Sequence, residues 1–499
     1  MTDPLDALRQ QAKALQKLYQ SGDRAANTRV NAVKPRAGEL KRADFLHIIA
    51  RENDFTSWPQ LKTAVESQGM DRAAKQQRLK TALFHGQTNV VQQLLSDTPD
   101  LAAGAFGLQV ALYDLDAVTQ TLKDDPHIAT RQLGPRRPIL HLAFSKMLTA
   151  WPEKEQDMLA IAELLLSAGA DVNDGYPAHP GSNHLLSALY GAIGHAGNMP
   201  MARWLLEHGA NPDDGESLYH ATELGHHEGL KVLLEHGANP VGTNALLRAM
   251  DFHDVDAVEM LLAAGASPDE AMPALHHAAR RQSPSKMVEI LLNVGADPNR
   301  AFHGASTYAA ARIFGNQSLS DALEAQSVDT TLTDIEQILA DCAVGKVVEG
   351  RWIDVAKVPQ AFKNVLHEVL VLPNRMEHVR ALVALGMPWD APDGQGVPPV
   401  QLAGWHGLPD MTDFFLRLGP DLSYVNGFGG TLLSTIIHGS ENCPDRKERD
   451  HLACLQLALE HGVALPRKAI KFAGDPKVSS FLSEWAAEHP GQVVDHGIV

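Results

Sequence analysis

In residues 215–240, GESLYHATELGHHEGLKVLLEHGANP, apolar positions fall into two helical stripes separated by a glycine. Leu218, Ala221 and Leu224 space as one face of a short helix, Gly225 ends it, and Leu230, Val232, Leu233 and Leu234 form the apolar face of a second helix. Gly237 stands where a left-handed residue closes the last turn, and Asn239-Pro240 prevents the helix from continuing. The closing phrase LLEHGANP runs from Leu205 to Pro212 and again from Leu233 to Pro240, with looser copies LLSAGADV at Leu165, LLAAGASP at Leu261 and LLNVGADP at Leu291. One hairpin of this size cannot cover its own stripe, so the recurrence predicts an all-α solenoid of stacked helix-turn-helix units.

The letters around these stripes resemble the ankyrin repeat, whose unit runs T-P-L-H-x-A-A, a G-H turn, then a second helix ending in L-L-x-x-G-A-D/N-x-N. PILHLA at Pro138–Ala143, PALHHAA at Pro273–Ala279, and the endings GADVN at Gly169 and GADPN at Gly295 carry the resemblance, and VNGFGGTLL at Val425–Leu433 is similar to the family's finger turn. Ankyrin units usually run about 33 residues, whereas Gly209, Gly237, Gly265 and Gly295 stand 28, 28 and 30 apart. The deficit falls between the exit turn and the next first helix, which predicts fingers shortened to plain turns in the central units. Steps of 40 from Gly169 to Gly209 and 43 from Gly419 to Gly462 imply longer helices or inserted loops, with TAWPEKEQD and HGSENCPDRKERD as the two inserts.

Degenerate units extend the pattern, giving an array over 76–330, clearest at 137–310, and degenerate repeats over 331–475, with the stretch 327–361 departing furthest. Residues 476–499 read as a helix end and a frayed tail. Before the array, Leu5, Leu8, Ala12, Leu15 and Tyr19 trace one helix, and ADFLHIIARENDFTSWPQLKTAVES predicts a second helix, a turn at 54–56 and a third helix capped by Ser57 with Pro59 in its first turn. This region, 1–75, is similar to the helical preamble of some bacterial ankyrin proteins, and either caps the open end of the stack or docks a partner.

A formal charge of −17 and a pI near 5.7 argue against general nucleic-acid binding, which is driven by Lys and Arg displacing counterions. Residues 1–80 hold fifteen Lys and Arg against nine Asp and Glu, a balance of +6, and the remainder holds 28 against 51, a balance of −23. Only the basic preamble is a candidate for nucleic acid, and deleting residues 1–75 would then abolish retention. Cys342, Cys443 and Cys454 show no paired spacing, the first twenty residues lack an apolar signal core, and no run of 18 apolar residues occurs, so a cytoplasmic protein with no membrane contact is expected.

Twenty-four histidines invite metal chemistry, but the doublets His226-His227 and His276-His277 lack the i, i+4 spacing of a zinc helix. His141 and His276 occupy the family's T-P-L-H position, where an imidazole bonds backbone, while His208 and His236 sit at helix ends facing the dipole. NGFGGTLL lacks a phosphate-binding Lys and follows no predicted strand. No catalytic residue, metal site, cofactor or small-molecule substrate is expected. The resemblance places the partner-binding positions just before each G-H turn, at Glu223 and Leu224, Asp251 and Phe252, Arg280 and Arg281, Ile313 and Phe314, and Trp405 and His406. It implies a non-enzymatic scaffold or adaptor that binds a protein through a concave groove. Apolar members of this set pack under a neighbouring loop on the alternative reading, and Arg280-Arg281 then salt-bridges across repeats. Two rival functions stand beside it: an enzyme site in 327–361, which holds RWIDVAKVP and Cys342 as the sole cysteine predicted on a helix, and structural self-association.

Overall fold

A computed structural model describes residues 4–34, 40–326, 328–346 and 351–495. These fall into two compact units, residues 1–245 and 246–499, and each is a stack of short helix pairs.

The first unit opens with four helices, Pro4–Gln20, Arg24–Val33, Arg42–Glu52 and Trp58–Ser67. Ala12, Leu15, Ala26, Val30, Phe45, Ile48, Ile49 and Leu61 close into a core of their own. The Arg24–Val33 helix escapes a reading by stripe because it buries only Ala26 and Val30; Asp23 starts it by accepting from Ala26 N at 2.8 Å. Ser57 has the backbone of an N-cap but makes no capping bond with its side chain, and Thr56 N donates instead to Gln60 Oε1.

Helix pairs follow at Arg72–His85 with Thr88–Asp97, Phe106–Ala111 with Leu115–Asp124, and Pro138–Ala143 with Glu155–Ser167. In the next pair the first helix is Ala188–Tyr190 continued as a π turn over Gly191–His195, and the second is Met199–Glu207; Ser217–Ala221 with Glu228–Glu235 completes the series. The duplicated LLEHGANP closes two second helices in the same way. Gly209 N and Ala210 N donate back to Leu206 O and Leu205 O, and Gly237 N and Ala238 N to Leu234 O and Leu233 O, with φ of 90° and 85° at the glycines. This is a Schellman close, which only a residue comfortable at positive φ provides cheaply. The histidine before each glycine satisfies a further carbonyl: His208 Nδ1 reaches Trp204 O at 2.7 Å and His236 Nδ1 reaches Val232 O at 2.8 Å. The exit residues then tie neighbouring units together, since Asn211 N donates to Asn173 Oδ1 and Asn239 N to Asp213 Oδ1, both at 2.7 Å.

The central connections are plain turns, as the short spacing predicts: Asp214 Oδ1 accepts from Glu216 N and Ser217 N before the next helix begins. The 40-residue step has a different origin from the insert proposed for it. TAWPEKEQD precedes Gly169 and forms a single 3-10 turn, Pro152–Lys154, leading into the Glu155–Ser167 helix. The added length is an antiparallel hairpin in which Gly175–Pro177 pairs with Leu185–Ser187.

The second unit repeats the scheme. Ala274–Arg281 pairs with Ser285–Asn293, Thr307–Phe314 with Gln317–Ala325, Val365–Leu370 with Met376–Ala384, Pro399–Trp405 with Pro409–Arg417, and Leu432–Asn442 with His451–Glu460. Of the insert HGSENCPDRKERD, residues 438–442 belong to the Leu432–Asn442 helix, and 443–450, with the 3-10 turn Arg446–Glu448, form the added loop. Within 327–361, residues 327 and 347–350 lie outside the described residues; the rest forms a helix, Asp334–Ala343, with Leu339, Ala340 and Cys342 buried, and a segment that buries Ile353 and Val358. Cys342 is not the sole helical cysteine, because Cys454 lies in His451–Glu460. Beyond Glu488 the chain is held rather than frayed: Val493–Val494 pairs with Leu465–Pro466, and Gln492 Nε2 donates to Leu459 O and Val463 O at 2.7 Å each. Residues 496–499 lie outside the described residues. Among the described residues no helix is long and apolar enough to cross a membrane.

Candidate functional site: a cleft beneath two finger turns

In the second unit the Pro399–Trp405 and Leu432–Asn442 helices lie side by side because each has a glycine at the crossing. A Cβ on Gly404 would meet Ile436 Cγ1 at 2.6 Å, and one on Gly439 would meet Trp405 O at 2.3 Å. Two turns built alike precede these helices. In Asp393-Gly-Gln-Gly-Val397, Asp393 Oδ1 accepts from Gln395 N and Val397 N at 2.9 Å; in Asn426-Gly-Phe-Gly-Gly430, Asn426 Oδ1 accepts from Phe428 N at 3.0 Å and Gly430 N at 2.9 Å. The turns nest closely, since a Cβ on Gly427 would fall 2.0 Å from Gln395 O. Underneath, Asn426 Nδ2 donates to Gln401 Oε1 at 2.8 Å and Thr435 Oγ1 at 3.0 Å, and Gln401 Nε2 donates to Tyr424 O. A buried amide network satisfied at this many atoms holds its loop in one conformation.

Turns and helices enclose a cleft of about 740 Å³ lined chiefly by Val397, Leu402, Trp405, Phe428, Ile437 and His438. Phe428 is 74% exposed and Val425 39%, an arrangement a helix-forming unit has no packing reason to keep. Trp405 is half-buried and its ring lies 5.1 Å from that of His438. His406 lines the cleft with its imidazole held neutral, its pKa pushed down to about 4 by burial and by the neighbouring charge of Arg449.

The other positions assigned from the sequence behave differently. Ile313 and Phe314 are buried, 0% and 2% exposed, because a later segment covers them: Phe362 packs edge-on against Phe314 with ring centroids 6.1 Å apart. They are inside the fold and offer no surface to a partner. Asp251 is an ionic hub. Arg248 Nη1 lies 3.1 Å from its Oδ2, while His277 Nε2 and Arg281 Nε approach Oδ1 at 2.9 and 2.7 Å. Burial alone would raise this carboxyl, but the His277 hydrogen bond, the charges of Arg281 and His277 and the Arg248 hydrogen bond override it and bring the pKa to about 2. Arg280 pairs with Glu368 at 2.6 Å, 88 positions along the chain, so both arginines are engaged across repeats. Phe252 is 46% exposed beneath the Arg248 guanidinium, 4.7 Å from its ring centroid. Glu223 and Leu224 belong to the first unit, where Glu223 accepts from His220 at 2.7 Å and Leu224 is half-buried. Asp251→Ala is therefore expected to cost on the order of 3 kcal/mol, by stranding three partners in a largely buried site. Denaturant unfolding checks this, and a loss below about 1 kcal/mol would place the hub among solvated surface pairs.

Sequence reasoning missed Phe428, Val397, Ile437, His438 and Glu441. The available signal was Phe428 itself, an aromatic flanked by glycines with no apolar neighbour at helical spacing. His141 and His276 sit as expected, their Nε2 atoms 3.1 Å from Leu133 O and 2.9 Å from Arg300 O. Among the described residues no group of three or more His, Cys, Asp or Glu could hold a metal ion. Burial pushes the Cys342 thiol up to about 11 and Cys454 to about 12, so both are protonated at neutral pH.

Residues 147–244 match the family description "Ankyrin repeats (3 copies)", and residues 272–301 match "Ankyrin repeat". No curated protein matches the chain. Among solved structures it is similar to the crystal structure of the human ASB11 ankyrin repeat domain, with 23% identity over 46% of this chain and 100% of that one and a TM-score of 0.36. The chain carries ankyrin repeats over residues 147–244 and 272–301.

Proposed function

We propose that this chain is a non-enzymatic scaffold or adaptor that binds a protein partner through the cleft beneath its two finger turns. Ankyrin repeats generally mediate protein–protein interaction, and the observation that carries the reading here is Phe428, held 74% exposed at the mouth of a preformed apolar cleft. Exposed aromatics over a pocket are the residues that most often anchor interfaces. Because the amide network beneath Phe428 orders its turn before any partner arrives, association costs less conformational entropy. Three buried, unpaired cysteines fit a reducing compartment, and a cytoplasmic location is part of the proposal.

The test is selection of short random displayed peptides on the full chain, followed by screening of the enriched pool against Phe428→Asp. Position 428 is 74% exposed, so the substitution should leave the melting temperature unchanged within about 2 °C. Binders should survive on the wild type and lose at least about tenfold in affinity on the variant, as expected for a buried apolar anchor replaced by a charge. A pool that binds both proteins equally would remove the cleft from the account.

A further inference from the structure

The lining of the cleft also constrains the chemistry of what fills it. Among the lining residues the one formally charged side chain is Glu441, which accepts from Gly474 N through Oε1 and keeps a second carboxylate oxygen. From 385 to 442 the chain carries six carboxylates, Asp390, Asp393, Asp410, Asp413, Asp421 and Glu441, against a single cation, Arg417, which Asp413 holds at 2.7 Å. Two cations whose charge acts on His406 are likewise engaged, Arg449 with Asp445 at 3.6 Å and Arg281 with Asp251. The cleft therefore presents aromatic faces at Trp405 and Phe428, an aliphatic floor at Val397, Leu402 and Ile437, and the Glu441 carboxylate with no Lys or Arg among the lining residues to answer it.

We propose, resting on the docking reading above, that the occupant is an extended partner segment in which an apolar side chain stands next to Arg or Lys. The apolar group fills the space between Val397, Leu402 and Ile437. The cation lies over the Trp405 ring and within reach of Glu441, combining a cation–π contact with a charge-assisted hydrogen bond. The excess of carboxylates over 385–442 steers such a segment inward and turns acidic segments away. Guanidinium suits the site better than ammonium, since it stacks on an indole and offers paired donors to a carboxylate.

The same displayed pool reads this out separately. Peptides whose binding depends on Phe428 should be enriched in Arg and Lys beside apolar residues relative to the starting library. A synthetic consensus peptide should bind Glu441→Gln about fivefold more weakly than wild type, and should weaken by a similar factor when salt rises from about 50 to about 500 mM. Glu441→Gln keeps the oxygen that accepts from Gly474 N, so the fold is retained. Phe428-dependent peptides with no excess of Arg or Lys, or with an excess of Asp and Glu, would overturn the charge assignment while leaving the cleft as the docking site. A pool with no Phe428-dependent member would overturn both.

Discussion

Between pH 6.5 and about 4 the protein is expected to lose stability more steeply than through any single substitution considered above. The cause is a set of histidines buried without charge: burial, with neighbouring cations assisting, depresses His141, His195, His378 and His406 from 6.5 to about 4. In that window the unfolded chain binds protons that the native chain refuses, so stability falls as pH drops through 6.5 and levels off below about 4. One unit of pKa difference corresponds to about 1.4 kcal/mol, which makes each histidine worth on the order of 3.5 kcal/mol at the acid end. Asp251 remains ionised until about pH 2 and adds nothing there. Melting temperature followed from pH 7 to pH 4.5 measures the effect, and a flat profile would mean that these imidazoles are solvated. His378 supplies the internal control. It is 3% exposed and neither ring nitrogen makes a hydrogen bond, so His378→Leu should gain about 1 kcal/mol at neutral pH by removing an unsatisfied polar ring. The variant should also show a shallower acid slope.

Gly439→Ala is expected to be the most damaging glycine-to-alanine change in the two helices that floor the cleft. Helix propensity favours alanine by about 1 kcal/mol in the interior of Leu432–Asn442. Against that, the new methyl would stand 2.3 Å from Trp405 O and 2.9 Å from Trp405 Cα, and backbone cannot swing aside as a side chain can. Overpacking of this kind costs about 3 kcal/mol, so the clash wins by about 2 kcal/mol. For a unit of this size the melting temperature should fall by about 5 °C. The floor of the cleft must part as the two helices separate, so peptide affinity should fall with it. Gly394→Ala is the matched comparison: nothing lies within 4 Å of its added carbon and its φ is not in the left-handed region, so stability should hold or rise slightly. If both substitutions behave alike, close helix approach is not what shapes the cleft.

What the sequence made legible was local. The glycine that closes each second helix, the residues that leave it and the shortened connections all follow from bonds within a few positions, and the duplicated LLEHGANP reports them directly. Contacts from distant segments were not legible in the same way. Phe314 reads as a groove residue until Phe362 is seen to cover it, and Arg280 reads as an interface cation until Glu368 is seen to hold it. Trp405 and His406 line the cleft because the finger turns on either side leave room for them. Phe428 is obscured by its context: its glycine-rich turn accounts for the backbone geometry, and nothing in the spacing singles out the side chain that the turn displays.

The central claim, that partners are held at the finger-turn cleft, is tested most directly by placing a photo-crosslinking phenylalanine analogue at position 428 in the full chain and irradiating it in native extract. Position 289, exposed on the Ser285–Asn293 helix, serves as the comparison. The account predicts discrete protein adducts from 428 that an excess of the cleft-binding peptide suppresses, and none of those adducts from 289. Adducts of equal yield from both positions, or adducts from 428 that the peptide leaves untouched, would contradict it.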